Sequence, residues 1–396
     1  MPIPTPFHER TFENCVSLLY KDWAGYYAVR SYDTYPEREY FAFRHTAGLV
    51  DVTPLFKYEV YGKDAAALLS RIMVRNIARL KPGRVAYTCW CDDDGKVIDD
   101  GTVSRLDEDY YRVTSTEPNL AWLHRFARGC RVTIEDSSRQ LGALALQGPR
   151  SRDILQEATE DDITGLKYFA VRQTQIDGCR VYVSRTGYTG DLGYEVWVES
   201  GNATRIWDAL NDIGQKYGML PAGLDAMDIT RVEAGFVLNG IDYFNANHCL
   251  VKSRKSTPFE LGFGWMVKIK RGPFNGRDAL ALEKLRGPAR MLVGLEIGWD
   301  EHEALFAAKG LPPEIPSQAW RTSAPVYDDT GTQVGYATSG TWSPILKKNL
   351  ALATVYRGFE TVGTRLQFEV TVEYERKTVP ATVAEKPFFD PERKKR

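Results

Sequence analysis

Nowhere in this sequence does an uninterrupted apolar run approach the ~20 residues that a membrane-spanning helix requires. The opening MPIPTPFHERTFENC also lacks the apolar stretch of a secretory leader, so the chain is expected to be cytoplasmic and free of membrane contact. Charge of one sign is missing as well. The 51 basic residues nearly balance the 52 acidic ones, leaving no broad field to hold a polyphosphate backbone, and nucleic acid is not expected as a partner. The five histidines, His8, His45, His124, His248 and His302, are too dispersed for a metal constellation. The six cysteines are scattered without the paired spacing of a disulfide framework or zinc site. Cys89 and Cys91 come nearest to a motif, and strand alternation places both on one face as buried, idle thiols. No metal is expected. A G-x-G-x-x-G fingerprint and a Lys-Ser/Thr phosphate loop are both absent, so the chain is not expected to oxidise a substrate with a dinucleotide.

What is present points to two or three packed lobes, because 396 residues exceed what one core usually organises. Phe43 to Gly62 reads as strand, turn and strand, and Asp64 to Ile77 has helical spacing. Val85 to Cys91 and Lys96 to Asp100 flank the turn Asp92-Asp-Asp-Gly95, a hairpin signal because glycine accepts positive φ. A strand over Tyr110 to Ser115, a helix over Glu117 to Ala127, and a strand over Gly142 to Gly148 follow, with Ser151 as a plausible cap for the next helix. The alternation then repeats, with strands in Gln173 to Ser184 and a helix over Ala203 to Tyr217. Composition shifts around Arg286 to Glu303, and Ala307 to Ala319 suits a linker or surface loop. Beyond it come five short strands, Ala324 to Tyr327, Gln333 to Thr338, Asn349 to Tyr356, Gln367 to Val372 and Thr378 to Val383, the pattern of a small antiparallel barrel. The terminal Arg393-Lys-Lys-Arg reads as a solvated basic end. The class is α+β, with strands in hairpins and helices between them.

Three features could carry chemistry. Asp99 and Asp100 follow the hairpin turn, and alternation sends their carboxylates to opposite faces, so one of them can address a given ligand. Solvated turn acids are the plainer alternative. Arg185 to Glu195 carries Gly187, Gly190 and Gly193, which permit a tight bend or close approach of backbone to a ligand. Glu195 follows in an apolar strand, as an edge-strand acid or as an acceptor for two parallel N–H groups. Arg231 and Glu233 lie on nearly opposite faces of a helix, where charges usually face solvent. Aromatic residues form 12% of the chain, a supply suited to a flat ring-shaped ligand or to ordinary core packing.

Taken in order over nearly the whole chain, these segments resemble the aminomethyltransferase family typified by the T-protein of the glycine cleavage system. The resemblance is carried by Phe7-His-Glu-Arg10, Gly48-Leu-Val-Asp-Val52, Gly95-Lys-Val-Ile-Asp-Asp100, Ala145-Leu-Gln-Gly-Pro149 and Arg185 to Glu195. It continues in Arg231-Val-Glu-Ala-Gly235, Thr257 to Trp265, Thr338 to Pro344 and Leu346 to Asn349. It implies a three-lobed cloverleaf of mixed sheets and helices around a central folate channel: residues 1–285 as two lobes, the first discontinuous, and residues 290–390 as the barrel. It implies tetrahydrofolate as co-substrate, Asp100 as the catalytic carboxylate, and Glu195 on the pterin edge. Tyr87 and Tyr188 would line the channel, and Arg231 and Trp265 complete the folate-binding set.

The sequence also departs from the family pattern. Met227 stands where an Arg is usual, Thr116 where an Asn is usual, Lys252-Ser-Arg-Lys-Ser256 where an acidic run is usual, and the 302–321 loop is extra. Gly190-Asp-Leu-Gly193 is closer to the folate domains of sarcosine and dimethylglycine dehydrogenases. These departures weigh against a lipoyl carrier protein as partner and leave two donors open. One is the aminomethyl group on lipoamide, giving methylene-tetrahydrofolate and ammonia. The other is a small methylated amine, onium or ether, giving methyl-tetrahydrofolate. A reading of another class, a non-catalytic folate-binding protein of iron–sulfur assembly, would call for a K-G-C-Y-x-G-Q-E segment. Lys255 to Gly262 lacks the cysteine of that segment.

Overall fold

Leu141–Gln147 reads Leu-Gly-Ala-Leu-Ala-Leu-Gln, with Leu144 and Leu146 on one face and Ala143 and Ala145 on the other. A strand apolar on both faces has to be covered twice. In the computed structural model, which describes all residues from Met1 to Arg396, it lies inside a six-stranded sheet. The order is Val171–Ile176, Cys179–Ser184, Gly193–Glu199, Leu141–Gln147, Gly48–Asp51 and Leu220–Pro221. Helices Ser151–Ala158 and Ala203–Gln215 cover the leucine face with Ile154, Leu155, Ile206, Trp207 and Leu210. Helices Glu37–His45 and Leu224–Glu233 cover the alanine face, where the small side chains admit Tyr40, Phe43, Leu224 and Ile229.

A second sheet is inserted between the strands of the first. Its order is Arg84–Cys91, Val97–Asp107, Tyr110–Ser115, Phe56–Tyr61 and Thr133–Asp136. Helices Ala65–Ile72 and Leu120–Ala127 pack Leu68, Leu69, Ile72 and Leu123 onto one face, against Tyr58, Trp90, Val103 and Tyr111. Its opposite face carries Cys89, Cys91 and Val97, and these enter a core shared with Val232, Tyr243, Leu261 and Met266 and with Leu292, Leu350 and Leu352 of the barrel. The second sheet, the barrel and a helix that covers the first sheet therefore meet at one apolar junction. No helix is long and apolar enough to cross a membrane.

The barrel is closed and has six strands, in the order Arg290–Ile297, Lys348–Tyr356, Gln333–Ser343, Ala324–Tyr327, Arg365–Val372 and Glu375–Ala384. Pairing of Gly294–Ile297 with Ala381–Ala384 closes it. Five of these strands were expected from the sequence. The sixth, Arg290–Ile297, lay in the stretch read as a composition shift, because it lacks alternation. Val293, Leu295 and Ile297 fill the barrel, while Leu292 on the outer side enters the shared junction.

Three local expectations are corrected. Ser151 is the first helical residue and not the cap, its Oγ lying 3.5 Å from the Leu192 carbonyl. The basic terminus is docked: Arg393 donates two 2.7 Å hydrogen bonds to Asp191, and Arg185 donates to the carbonyls of Lys394 and Arg396. Arg231 and Glu233 of helix Leu224–Glu233 face the interior and not solvent, and Asp228 is buried with them.

Candidate active site

The hairpin turn fixes a register in which Cys89 opposes Asp100 and Trp90 opposes Asp99. Cross-strand partners share a face, and so do residues two apart, so Tyr87 and Asp100 stand on the same side of the second sheet. The Tyr87 hydroxyl donates to Asp100 Oδ2 at 2.6 Å, and the Tyr243 hydroxyl donates to Asp100 Oδ1. Neither aspartate is a solvated turn acid: Asp99 is 0% exposed and Asp100 8%. Burial raises the proton affinity of Asp100, and the hydroxyls of Tyr243 and Tyr87 oppose that rise. In turn, burial and the Asp100 charge push both phenols well above the ordinary tyrosine range.

Asp99 points the other way along its own strand, yet the two carboxylates are not isolated, because the Tyr243 hydroxyl also lies 3.4 Å from Asp99 Oδ1. Asp99 accepts six further hydrogen bonds, from the backbone N–H groups of Asp100, Thr116 and Glu117, the Thr116 hydroxyl, and the side-chain amides of Asn119 and Asn239. Gly101 follows directly, and a Cβ there would come within 1.9 Å of the Thr114 carbonyl. Only glycine lets the neighbouring strand come this close behind the pair.

Tyr243 arrives from a segment far away in sequence. After helix Leu224–Glu233 the chain turns through Gly240, at φ +82°, and Asp242 pins the turn. Asp242 accepts from Arg231 Nη1 at 2.6 Å, from the Leu238 N–H at 2.8 Å, and from the hydroxyls of Thr338 and Ser339 in the barrel. Arg231, expected among the folate-binding residues, thus commits Nε to Asp228 at 2.7 Å and Nη1 to Asp242. Its main visible work is to anchor this turn. Only its Nη2 is buried without a partner, and Asn239 Oδ1 is in the same condition.

Tyr188 stacks on Phe236 at 5.6 Å and donates to the Val237 carbonyl. It is close enough to Asp100 and Arg231 for both to act on its ionisation, although burial is the main reason its pKa rises. Glu195 lies on the first sheet opposite Ser184 and Ala145, on the face that carries Trp197. It is partly exposed, and its bonds from Thr186 (2.7 Å) and Ser184 (3.5 Å) both reach Oε2. Burial raises its pKa and those hydroxyls oppose the rise. Trp265 is 57% exposed, beside the Arg75 guanidinium, which donates to the Tyr87 carbonyl at 3.2 Å. The structure therefore brings Tyr87, Asp100 and Tyr188 together, places Trp265 at their outer edge, and sets Glu195 on a separate sheet with no hydrogen bond to Asp100.

The glycines of Arg185 to Glu195 serve the protein's own interior. A Cβ on Gly187 or Gly193 would lie 1.9 or 2.2 Å from the Gln147 amide, which donates to the carbonyls of Thr186 and Tyr194. Sequence reasoning missed Asn239, Asp242 and Tyr243. The signal was Leu238-Asn-Gly-Ile-Asp-Tyr243, a turn-forming segment directly after a helix. No group of three His, Cys, Asp or Glu side chains lies close enough together to hold a metal ion.

Comparison with known proteins agrees with this architecture. Residues 12–271 match the GCVT N-terminal domain, and residues 290–390 match the glycine cleavage T-protein C-terminal barrel domain. The chain is 36% identical over 359 residues to an aminomethyltransferase of Bacillus subtilis (strain 168), covering 89% of this chain and 90% of that one. It is 34% identical over 361 residues to an aminomethyltransferase of Herpetosiphon aurantiacus, covering 90% and 91%. The crystal structure of glycine cleavage system aminomethyltransferase T from Bartonella henselae superposes with a TM-score of 0.83, at 24% identity, covering 98% of this chain and 99% of that one, a likeness of fold. With both family domains matched in order and identity above 30% along most of its length, this chain belongs to the aminomethyltransferase family of enzymes, the glycine cleavage T-protein family.

Proposed function

We propose that this enzyme transfers a one-carbon unit from a small donor to tetrahydrofolate, with Asp100 as the catalytic carboxylate. The observation that carries the reading is a buried carboxylate held by two phenols at the junction of three lobes. The surroundings suit a reduced pteridine. Asn239 Oδ1 and Arg231 Nη2 are buried and unpaired, and such groups are costly unless a ligand completes them. Glu195, with both of its bonds on one oxygen, retains acceptor capacity for an amide-and-amino edge. Tyr188 with Phe236, and Tyr87 with Phe263, offer ring surface.

Tetrahydrofolate, when bound, supplies the nucleophilic nitrogens that take up the carbon unit. Asp100 orients them, opposes the positive charge that develops there, and accepts a proton at its carboxylate. The low-dielectric surroundings strengthen each of these effects.

For the donor, a small methylated amine, onium or ether is the reading supported here over aminomethyl-lipoamide. Met227, standing where the resemblance calls for an Arg, packs against the apolar core of the first sheet and offers no cation. Thr116, standing in for an Asn, spends its hydroxyl on Asp99. The test is to incubate the enzyme and tetrahydrofolate with each donor class and identify the folate product by mass. A methyl product supports this reading, and a methylene product returns the donor to lipoamide. Absence of saturable tetrahydrofolate uptake in calorimetry removes the proposal altogether.

A further inference from the structure

Asp100 does not stand alone at its site, and its companions are not equivalent. Asp99 is completely buried, and its two oxygens are saturated. Oδ2 accepts from the N–H groups of Thr116 (3.1 Å) and Glu117 (2.9 Å) and from Asn119 Nδ2 (2.9 Å). Oδ1 accepts from the Asp100 N–H (2.9 Å), Asn239 Nδ2 (3.0 Å) and the Thr116 hydroxyl. The orientation of Asn119 is fixed by its other end, because its Oδ1 accepts from the Trp90 indole at 3.1 Å. Five of these six donors are N–H groups that have no lone pair to offer a protonated carboxyl. Burial and the neighbouring Asp100 charge push the Asp99 pKa up to about 7, and this complete shell of donors opposes the rise and favours the charged form.

Asp100 has different surroundings, with two phenols donating to its carboxylate. The groups facing it are Tyr87 and Cys89 from the adjacent strand, Asp99 from its own, Tyr243 from the turn after the buried helix, and Tyr188 with Arg231 behind it. Of these, Tyr243 is the one whose hydroxyl touches both carboxylates.

We propose that Tyr243 and Asp99 are positioning residues for Asp100: Asp99 is a buried carboxylate fixed in place by its six donors, and the Tyr243 phenol, which touches both, holds the Asp100 carboxylate against its repulsion. The two then act on Asp100 in opposite directions. The phenol stabilises the charged form of Asp100, whereas Asp99 in its charged form stabilises the protonated form. The balance between them sets the pH at which Asp100 can accept a proton.

The inference rests on the proposed role of Asp100, but its test is independent of folate. Enzyme labelled with [4-13C]aspartate is titrated by NMR from pH 4 to pH 10, and the Asp100 signal is assigned by its loss in Asp100→Asn. In Tyr243→Phe, which keeps the ring and removes one oxygen, the Asp100 midpoint should rise by about one pH unit, the size expected for one charge-assisted hydrogen bond. In Asp99→Asn it should fall. Methyl or methylene transfer by Tyr243→Phe should lose kcat with little change in KM, and its activity profile should move with the NMR midpoint. An Asp100 midpoint unmoved in Tyr243→Phe overturns the proposal, and so does a rise in Asp99→Asn. If Asp99→Asn does not fold, Tyr243→Phe decides alone. Failure of the wild type to take up tetrahydrofolate counts against the proposed function and leaves this titration readable.

Discussion

Replacing Glu233 tests whether the three parts of the enzyme are held in register by buried charge. Its side chain is 0% exposed, as is that of Arg44, which donates to Oε2 through Nε (3.0 Å) and Nη2. Oε1 accepts from the Tyr40 hydroxyl and, across the lobe boundary, from the Ser343 hydroxyl of the barrel, both at 2.6 Å. Glu233→Met keeps the volume but leaves the Arg44 guanidinium with two backbone carbonyls and, as its one remaining anion, Asp191, 3.6 Å away and already bonded to Arg393. Breaking a buried pair from one side costs about 3–5 kcal/mol, because the remaining charge stays desolvated. At about 2.1 cal/mol/K per residue, the chain has an unfolding entropy of about 0.8 kcal/mol/K, so Tm should fall by about 4–6 °C with the parts unfolding together. The double variant Arg44→Met/Glu233→Met removes both charges and should recover at least about 1 kcal/mol relative to the sum of the two single changes. Urea denaturation of the wild type, both single variants and the double variant measures this coupling. Strict additivity, or a Glu233→Met protein as stable as the wild type, would refute the argument.

Asp100→Asn should abolish transfer while tetrahydrofolate uptake stays within a few-fold of wild type in calorimetry; wild-type turnover would remove Asp100 as the catalytic group. Glu195→Ala should weaken tetrahydrofolate binding by roughly 1–3 kcal/mol, the cost of leaving a polar edge unpaired, and an unchanged affinity would count against its contact with the pterin. Lys57 is 0% exposed, with Nζ donating to the carbonyls of Thr53 (2.6 Å) and Leu55 (2.9 Å), and burial lowers its pKa from 10.5 to about 7. Between these two values the unfolded chain holds the proton and the folded chain does not, so this group makes stability rise with pH from about 7 towards 10.5. Lys57→Met should flatten that slope in urea titrations at pH 7, 8 and 9, and an unaltered slope would assign it to other groups.

The hairpin that carries Asp100 was legible because everything that defines it is local. Gly95 sets the turn, the turn sets the register, and the register puts Tyr87 beside Asp100. Alternation also separated Asp99 from Asp100 correctly along the strand. What it could not show was that a tyrosine from elsewhere reaches both carboxylates, since Tyr243 is 143 residues away from Asp100. The missing barrel strand and the misread helix failed for a related reason. Arg290–Ile297 and Leu224–Glu233 are each covered on more than one side, so neither shows the one-sided pattern from which burial is read. The glycines of Arg185 to Glu195 were visible in the sequence, but only the fold shows that the group pressed against them is the Gln147 amide.

Asp228, Arg231 and Glu233 in one buried helix are costly to desolvate, and apolar residues of similar shape would pack there more cheaply. What they provide is direction. Glu233 reaches back to Tyr40 and Arg44 and across to Ser343, while Arg231 reaches forward to Asp242, which bonds Thr338 and Ser339. Apolar packing at the three-lobe junction could tolerate small slips of one lobe against another, whereas a bidentate or shared hydrogen bond cannot. Tyr243 follows Asp242 directly, so any slip of the barrel or the helix would be passed to the phenol on Asp100. The buried charges of this helix thus tie it to the first lobe and to the barrel, and stability is given up so that Tyr243, next to Asp242, meets Asp100 in a single place.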